Sequence, residues 1–205
     1  TYPANVEPGS ARLILNQDGT VNLMTGATEI GQGADTAFAQ MVSETLGVAY
    51  ESIHVISTQD TDITPWDPGA YASRQTYVSG MACKKCGEEF RGKILEYAAY
   101  MLNHDLTDLS KTVYADQVKE AAGRLREALG LGADEDVTAE MLDIVDSKVV
   151  VSGGDPVLFD VAVVADTAFY SLDRSVHITA EVTNHCKDNT FSSGCCFVEI
   201  EVDIP

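Results

Sequence analysis

The chain has 205 residues, 45% of them hydrophobic, and 32 acidic against 13 basic side chains give it a formal charge of −19. That length and apolar content support a packed core of one domain or two small ones, and the charge argues against nucleic acid or an anionic membrane surface as a partner. No apolar stretch approaches the ~20 residues of a membrane span and Thr1-Tyr2-Pro3-Ala4-Asn5 is no basic leader, so a soluble, cytoplasmic chain is expected.

Residues 11–16 and 20–25 flank Asp18-Gly19, a turn signal that predicts a β-hairpin. From Ala34 the apolar residues Ala37, Phe38, Met41, Val42 and Leu46 recur with helical spacing, and Gly47 can end the helix. Residues 53–57 read as a strand and 58–69 as a loop interrupted by Pro65 and Pro68. A long helix is predicted from Ala72 or Ser73, with Ser73 as its cap, to about Leu102. Residues 103–140 change character: Ala115, Val118, Ala122, Leu125 and Leu129 form one helical face ahead of the acidic Asp134-Glu135-Asp136, which predicts a surface elaboration. Strands are expected at 142–145, 148–151, 177–182 and 195–202 and a helix over 157–171. The elements together make an α+β chain, with mixed sheets and helices packed on them. The alternation of Phe197-Val198-Glu199-Ile200-Glu201-Val202 predicts one face covered by something else, as in a fragment or a split subunit.

Five cysteines with Cys195 beside Cys196 do not make a secreted disulfide framework. Cys83-Lys84-Lys85-Cys86 has the spacing of half a metal site, but no second pair completes it. Cys83, Cys86, Phe90, Ile94, Tyr97 and Met101 instead share one helical stripe, which favours buried thiols. His185-Cys186 near Cys195 and Cys196 matches no standard zinc spacing. His54, His104, His177 and His185 are scattered, without a nucleophile pattern.

Gly31-Gln32-Gly33 stands between a strand and a helix, and Asp67-Pro68-Gly69-Ala70-Tyr71-Ala72-Ser73-Arg74-Gln75-Thr76 repeats that arrangement. Such loops present backbone N–H groups at the positive end of a helix dipole, where a phosphate or a pterin carbonyl is stabilised. Glycines flanking Gln32 let a ligand approach the backbone, and its amide both donates and accepts. On the triplet alone, a tight strand-to-helix turn is the better explanation of the glycines, since short glycine motifs recur by chance. Arg74 can bind phosphate or pair with Asp60, Asp62 or Asp67.

The wording of Thr25-Gly26-Ala27-Thr28-Glu29-Ile30-Gly31-Gln32-Gly33-Ala34-Asp35-Thr36, of Asp60-Thr61-Asp62 with Pro65 and Gly69-Ala70-Tyr71-Ala72-Ser73-Arg74, and of Tyr170-Ser171-Leu172 with His177-Ile178-Thr179-Ala180-Glu181 is distinctive. It resembles the molybdenum-binding subunit of the xanthine dehydrogenase or purine hydroxylase family, over residues 10–100 and 143–205. The resemblance implies a partial molybdopterin-binding domain over 1–205 with an insertion at about 103–140. It implies molybdenum carried by molybdopterin as the cytosine dinucleotide, touched by Ile30, Gly31, Gln32, Gly33, Asp35, Ala72, Ser73, Arg74 and Gln75, with no side chain ligating the metal directly. Asp35 would lie toward the dinucleotide end and Ala72 toward the metal. Thr1, Tyr2 and Pro3 align near the substrate pocket.

The reaction implied is hydroxylation of a purine-like heterocycle, with electrons passed to iron-sulfur and flavin (FAD) subunits. The partners would be those subunits and the remainder of the molybdenum subunit. The Gly-Glu-Pro-Pro motif that carries the family's catalytic glutamate is absent, as are its Gly-Gly-Phe-Gly-Gly loop and iron-sulfur cysteine sets. The chain therefore holds no catalytic residue of that mechanism and is expected to be inactive alone. A sister hydroxylase of nicotinate or aldehydes, a cofactor-free assembly module, and a nucleotide-phosphate binder remain as alternatives.

Overall fold

A computed structural model describes residues 8–56, 60–171, 178–185 and 196–199. Strands β1 (Pro8–Leu15) and β2 (Val21–Thr25) form the expected hairpin, in register from Ala11 opposite Thr25 to Leu15 opposite Val21. The turn closes through Asn16 N–H to Thr20 O at 2.8 Å and Gly19 N–H to Asn16 O at 2.9 Å. Helix α1 (Ala34–Leu46) is bracketed by Gly33 and Gly47, both at φ 81°, the left-handed conformation that glycine adopts without a Cβ penalty. Strand β3 (Ile53–Ile56) pairs in parallel with β2.

The long helix starts later than its sequence suggests. Ala72 and Ser73 are left-handed, at φ 49° and 58°, and Gln75–Ser79 form a π-helical turn before α2 (Gly80–Asn103). Ser73 therefore does not cap the helix. A short helix α3 (Leu106–Leu109) follows, its first turn capped by Asp105 Oδ1 accepting from Thr107 N–H at 3.0 Å.

Helix α4 (Ala115–Leu129) lies where the spacing put it, and it packs Val118, Ala121 and Leu125 into the common core with Leu106 and Val137. Leu129, expected on that face, is exposed.

Strands β4 (Leu142–Val145), β5 (Lys148–Val151) and β6 (Val157–Asp160) form a small antiparallel sheet. The last corrects the single helix expected over 157–171. Val157 and Phe159 pair with β5, and only Val161–Phe169 form helix α5. An apolar run this uniform carries no period by which strand and helix could be told apart.

Strands β7 (Thr179–His185) and β8 (Cys196–Glu199) complete a five-stranded sheet ordered β3-β2-β1-β7-β8. The predicted 195–202 strand continues beyond the described residues, as do Thr1-Tyr2-Pro3, His177, Cys186 and Cys195. The arrangement is α+β, as the sequence implied.

The core lies between the five-stranded sheet and helix α2. Ala11 and Leu13 of β1, Val21 and Leu23 of β2, Phe38, Val42 and Leu46 of α1, and the α2 stripe Cys83, Cys86, Phe90, Ile94 and Met101 are all fully buried. Each large side chain among them contributes about 1.5–3 kcal/mol relative to exposure. Cys86 also donates to Ala180 O of β7 at 3.2 Å. The small sheet is tied to α1 by Ser147, whose N–H donates to Gly47 O at 3.0 Å while its Oγ accepts from Ala49 N–H at 2.9 Å. Among the described residues no helix is long and apolar enough to cross a membrane.

Candidate functional site

The sheet delivers two loops to one end of the fold. The first leaves β2 at Thr25, whose Oγ1 donates to Ser10 O at 3.0 Å and accepts from Ala27 N–H at 3.2 Å, fixing the exit direction. Gly26 is required there because a Cβ would lie 2.3 Å from Pro65 O and 2.8 Å from Asp67 N of the second loop. The two loops therefore touch at their bases.

They meet again nearer their tips. Gln32 donates through Nε2 to Thr28 O at 3.0 Å and accepts at Oε1 from Ile30 N–H at 2.7 Å. Gln75 donates to the same Thr28 carbonyl at 3.2 Å, across 47 positions of sequence. Its Oε1 is buried and has no hydrogen-bond partner among the described residues. A buried acceptor left unpaired costs about 1–3 kcal/mol and calls for a donor from elsewhere.

The second loop is organised by an internal ion pair. Arg74 is 3% exposed; it bonds Asp67 at 2.6 Å, Gly69 O at 2.9 Å and Pro8 O. Asp67, whose side chain is fully buried, also accepts from Gly69 N–H at 2.9 Å and Ser79 Oγ at 2.7 Å. Of the carboxylates open to Arg74, the structure selects Asp67, and the guanidinium is turned into the fold. Ala72 and Ser73, at the exposed crest, hold two successive left-handed residues without glycine, a strain of about 1–3 kcal/mol each that concentrates at binding sites.

The N–H donors ahead of α1 are not free, as the sequence had suggested. Glu29 fills them: its Oε1 accepts from Gly31 N–H at 2.6 Å and Gly33 N–H at 3.1 Å, and Oε2 from Asp35 N–H at 3.2 Å. Sequence reasoning missed this role. Its signal is an acidic residue four positions before the glycine N-cap. Gly31, Gly33 and Gly69 have positive φ, and a Cβ on any of them would meet nothing within 4 Å. Their open faces and the orphaned Gln75 oxygen suit a polar ligand that carries a hydrogen-bond donor.

The remaining candidates sort by exposure. Ile30 is 69% exposed at the tip of the first loop, and Asp35 is half-buried on the first turn of α1. His54 is exposed on β3, while His104 donates through Nδ1 to Tyr100 O at 2.8 Å and stacks on the Tyr100 ring. Neither histidine belongs to the loops.

The fold is shared with solved structures of larger proteins. Quinoline 2-oxidoreductase from Pseudomonas putida 86 superposes with a TM-score of 0.52 at 19% identity, covering 94% of this chain and 22% of its own. The sequence profile of the Molybdopterin cofactor-binding domain family matches residues 2–205, and the chain belongs to that family. The xanthine dehydrogenase molybdenum-binding subunit of Escherichia coli O157:H7 is 39% identical over 204 residues, which is 100% of this chain and 23% of that protein. The 6-hydroxypseudooxynicotine dehydrogenase complex subunit gamma of Paenarthrobacter nicotinovorans is 34% identical over 105 residues, 51% of this chain and 13% of its own. The chain thus spans about a quarter or less of the length of these relatives.

Proposed function

We propose that this chain supplies one wall of the molybdenum cofactor site in a xanthine dehydrogenase-like hydroxylase that oxidises a purine-like N-heterocycle. The observation that carries the reading is the convergence of Gln32 and Gln75 on Thr28 O beside the orphaned Gln75 Oε1. Residues 30–33 and 72–75 are otherwise remote in sequence, and a ligand touching both explains why each exposes strained or glycine backbone.

In this reading Gly31, Gln32 and Gly33 offer close backbone approach, Ala72 and Ser73 present the left-handed crest, and Gln75 accepts a donor from the cofactor's heterocyclic edge. Ile30 packs on the cofactor and Asp35 lies toward its dinucleotide end. Arg74 acts one step behind, by holding the crest through Asp67. When bound, the cofactor supplies a two-electron acceptor for insertion of a water-derived oxygen into an electron-poor carbon. The described residues of this chain bind and orient it. The general base belongs to segments outside this chain, and iron-sulfur and FAD subunits would take the electrons. The name of the Escherichia coli relative supports molybdenum binding, and that of the Paenarthrobacter relative supports assembly with other subunits. The latter relative also keeps open a sister enzyme that acts on a different nitrogen heterocycle.

The test is metal, pterin and turnover analysis of the complete protein. About one molybdenum and one pterin per chain, with turnover of a hydroxypurine above nicotinate and an aromatic aldehyde, is expected. A folded protein without molybdenum would contradict the reading and favour an assembly module, whereas nicotinate turnover would move the substrate assignment to the sister branch.

A further inference from the structure

Glu29 makes three bonds that no ligand reading requires. Its single carboxylate gathers the N–H groups of Gly31, Gly33 and Asp35, at 2.6, 3.1 and 3.2 Å, so it spans the whole passage from loop to helix. Gly33, the N-cap residue of α1, has no side chain to do this. The bond from Asp35, then those from Gly33 and Gly31, hold the Glu29 carboxyl below its ordinary range, as expected when backbone donors favour the charged form.

Two consequences follow from the charge and the geometry. Gly31 and Gly33 are at φ 97° and 81°, with open space on their Cβ sides. Neither is held in place by packing there, and glycine has more backbone conformations to lose than any other residue. Three bonds to one anchored anion select a single loop conformation. The start of α1 also already carries a negative charge on the Gly33 and Asp35 N–H groups, so a second anion arriving there would meet like charge and find those donors engaged.

We propose that Glu29 is a positioning residue for the candidate cradle: it is the loop's own anion, setting Gly31, Gln32 and Gly33 before the ligand arrives and closing the start of α1 to the ligand's phosphate. The role rests on reading that loop as a cofactor contact, but its physical core can be measured without cofactor. Gln32 completes the device, because its bonds to Thr28 O and from Ile30 N–H tie the remaining residues of the loop to the same frame. The phosphate of a bound cofactor must then be met by donors other than the N–H groups of Gly31, Gly33 and Asp35.

The experiment compares the complete protein with Glu29→Ala, Glu29→Gln and Glu29→Asp by amide hydrogen exchange. The peptide covering residues 29–36 is the reporter and residues 38–46 are the internal control. In Glu29→Ala the reporter should exchange on the order of tenfold faster with the control unchanged, and inorganic phosphate should slow it again; phosphate should leave the wild type unaltered. Glu29→Gln, which keeps the shape but not the charge, should fall between, and it guards against a folding failure of the alanine variant. Molybdenum per chain should drop in Glu29→Ala and recover in part in Glu29→Asp. Equal exchange in wild type and Glu29→Ala, phosphate protection of the wild type, or full molybdenum in a Glu29→Ala protein whose reporter exchanges fast would each overturn the proposal. Failure of the underlying cradle reading shows elsewhere, as undiminished molybdenum in Gly31 and Gln32 variants.

Discussion

Gln32 and Gln75 donate to one acceptor, the Thr28 carbonyl, at 3.0 and 3.2 Å. A carbonyl oxygen has two lone pairs, so both bonds can be made at once, and together they use its full capacity. The first loop is thereby fastened to the start of the π-helical turn, and the relative placement of 30–33 and 72–75 is set by the chain itself. This link also fixes the orientation of the Gln75 amide. Its nitrogen must face Thr28, which leaves the oxygen buried and unpaired.

Gln75→Leu should therefore change stability little, because the lost bond to Thr28 is offset by removing an orphaned acceptor worth about 1–3 kcal/mol. Molybdenum content should nevertheless fall. Denaturation midpoints and metal analysis of the same preparation check both halves. A variant with full metal content would remove Gln75 from the cradle.

Arg74→Ala should destabilise the protein by about 3–5 kcal/mol, the usual cost of stranding a buried charge, here the Asp67 carboxylate. Arg74→Lys should recover only part of that, since one ammonium cannot reproduce the fork that reaches Asp67, Gly69 O and Pro8 O. Chemical denaturation measures the effect. An Arg74→Ala protein as stable as wild type, with weakened phosphate or cofactor binding, would return Arg74 to the role of a direct phosphate ligand.

Burial, and secondarily the neighbouring Cys86, pushes the Cys83 thiol well above its ordinary value of 9.0. The sign follows directly: above that value an unfolded chain releases the Cys83 proton while the folded one retains it. Stability should therefore decline as pH rises past 9, by at most about 1.4 kcal/mol per pH unit from this group. Thiol labelling of the native protein at pH 8 should leave Cys83 and Cys86 unmodified, followed by release of both in denaturant. Rapid native labelling of the pair would contradict the buried stripe.

How much of this was legible in the sequence depended on whether the signal was local. Helix α1 was readable from its period and from two glycines at its ends, the α2 stripe from Cys83 to Met101, and the first hairpin from Asp18-Gly19, since each is set by neighbouring residues. The π-helical turn at 75–79 was not, because it answers to Arg74, Asp67 and Ser79 folding onto Pro8 from another strand. Helix α4 kept its limits but turned a slightly different face inward, Ala121 and not Leu129, a choice made by what it packs against. At the site, the glycine loops were visible by their composition. The Glu29 cap was hidden because the residue lies outside the N-cap position where a helix start is usually sought.

The most direct test of the central claim is molybdenum per chain in Gly31→Val beside wild type, with melting temperature recorded for both. A Cβ at Gly31 would meet no atom within 4 Å, so the cost to folding comes chiefly from its φ of 97°, about 1–3 kcal/mol. The same side chain would stand on the face offered to the ligand. A modestly lowered melting temperature with molybdenum lost is the predicted result; a Gly31→Val protein carrying wild-type molybdenum would contradict the assignment of this loop to the cofactor.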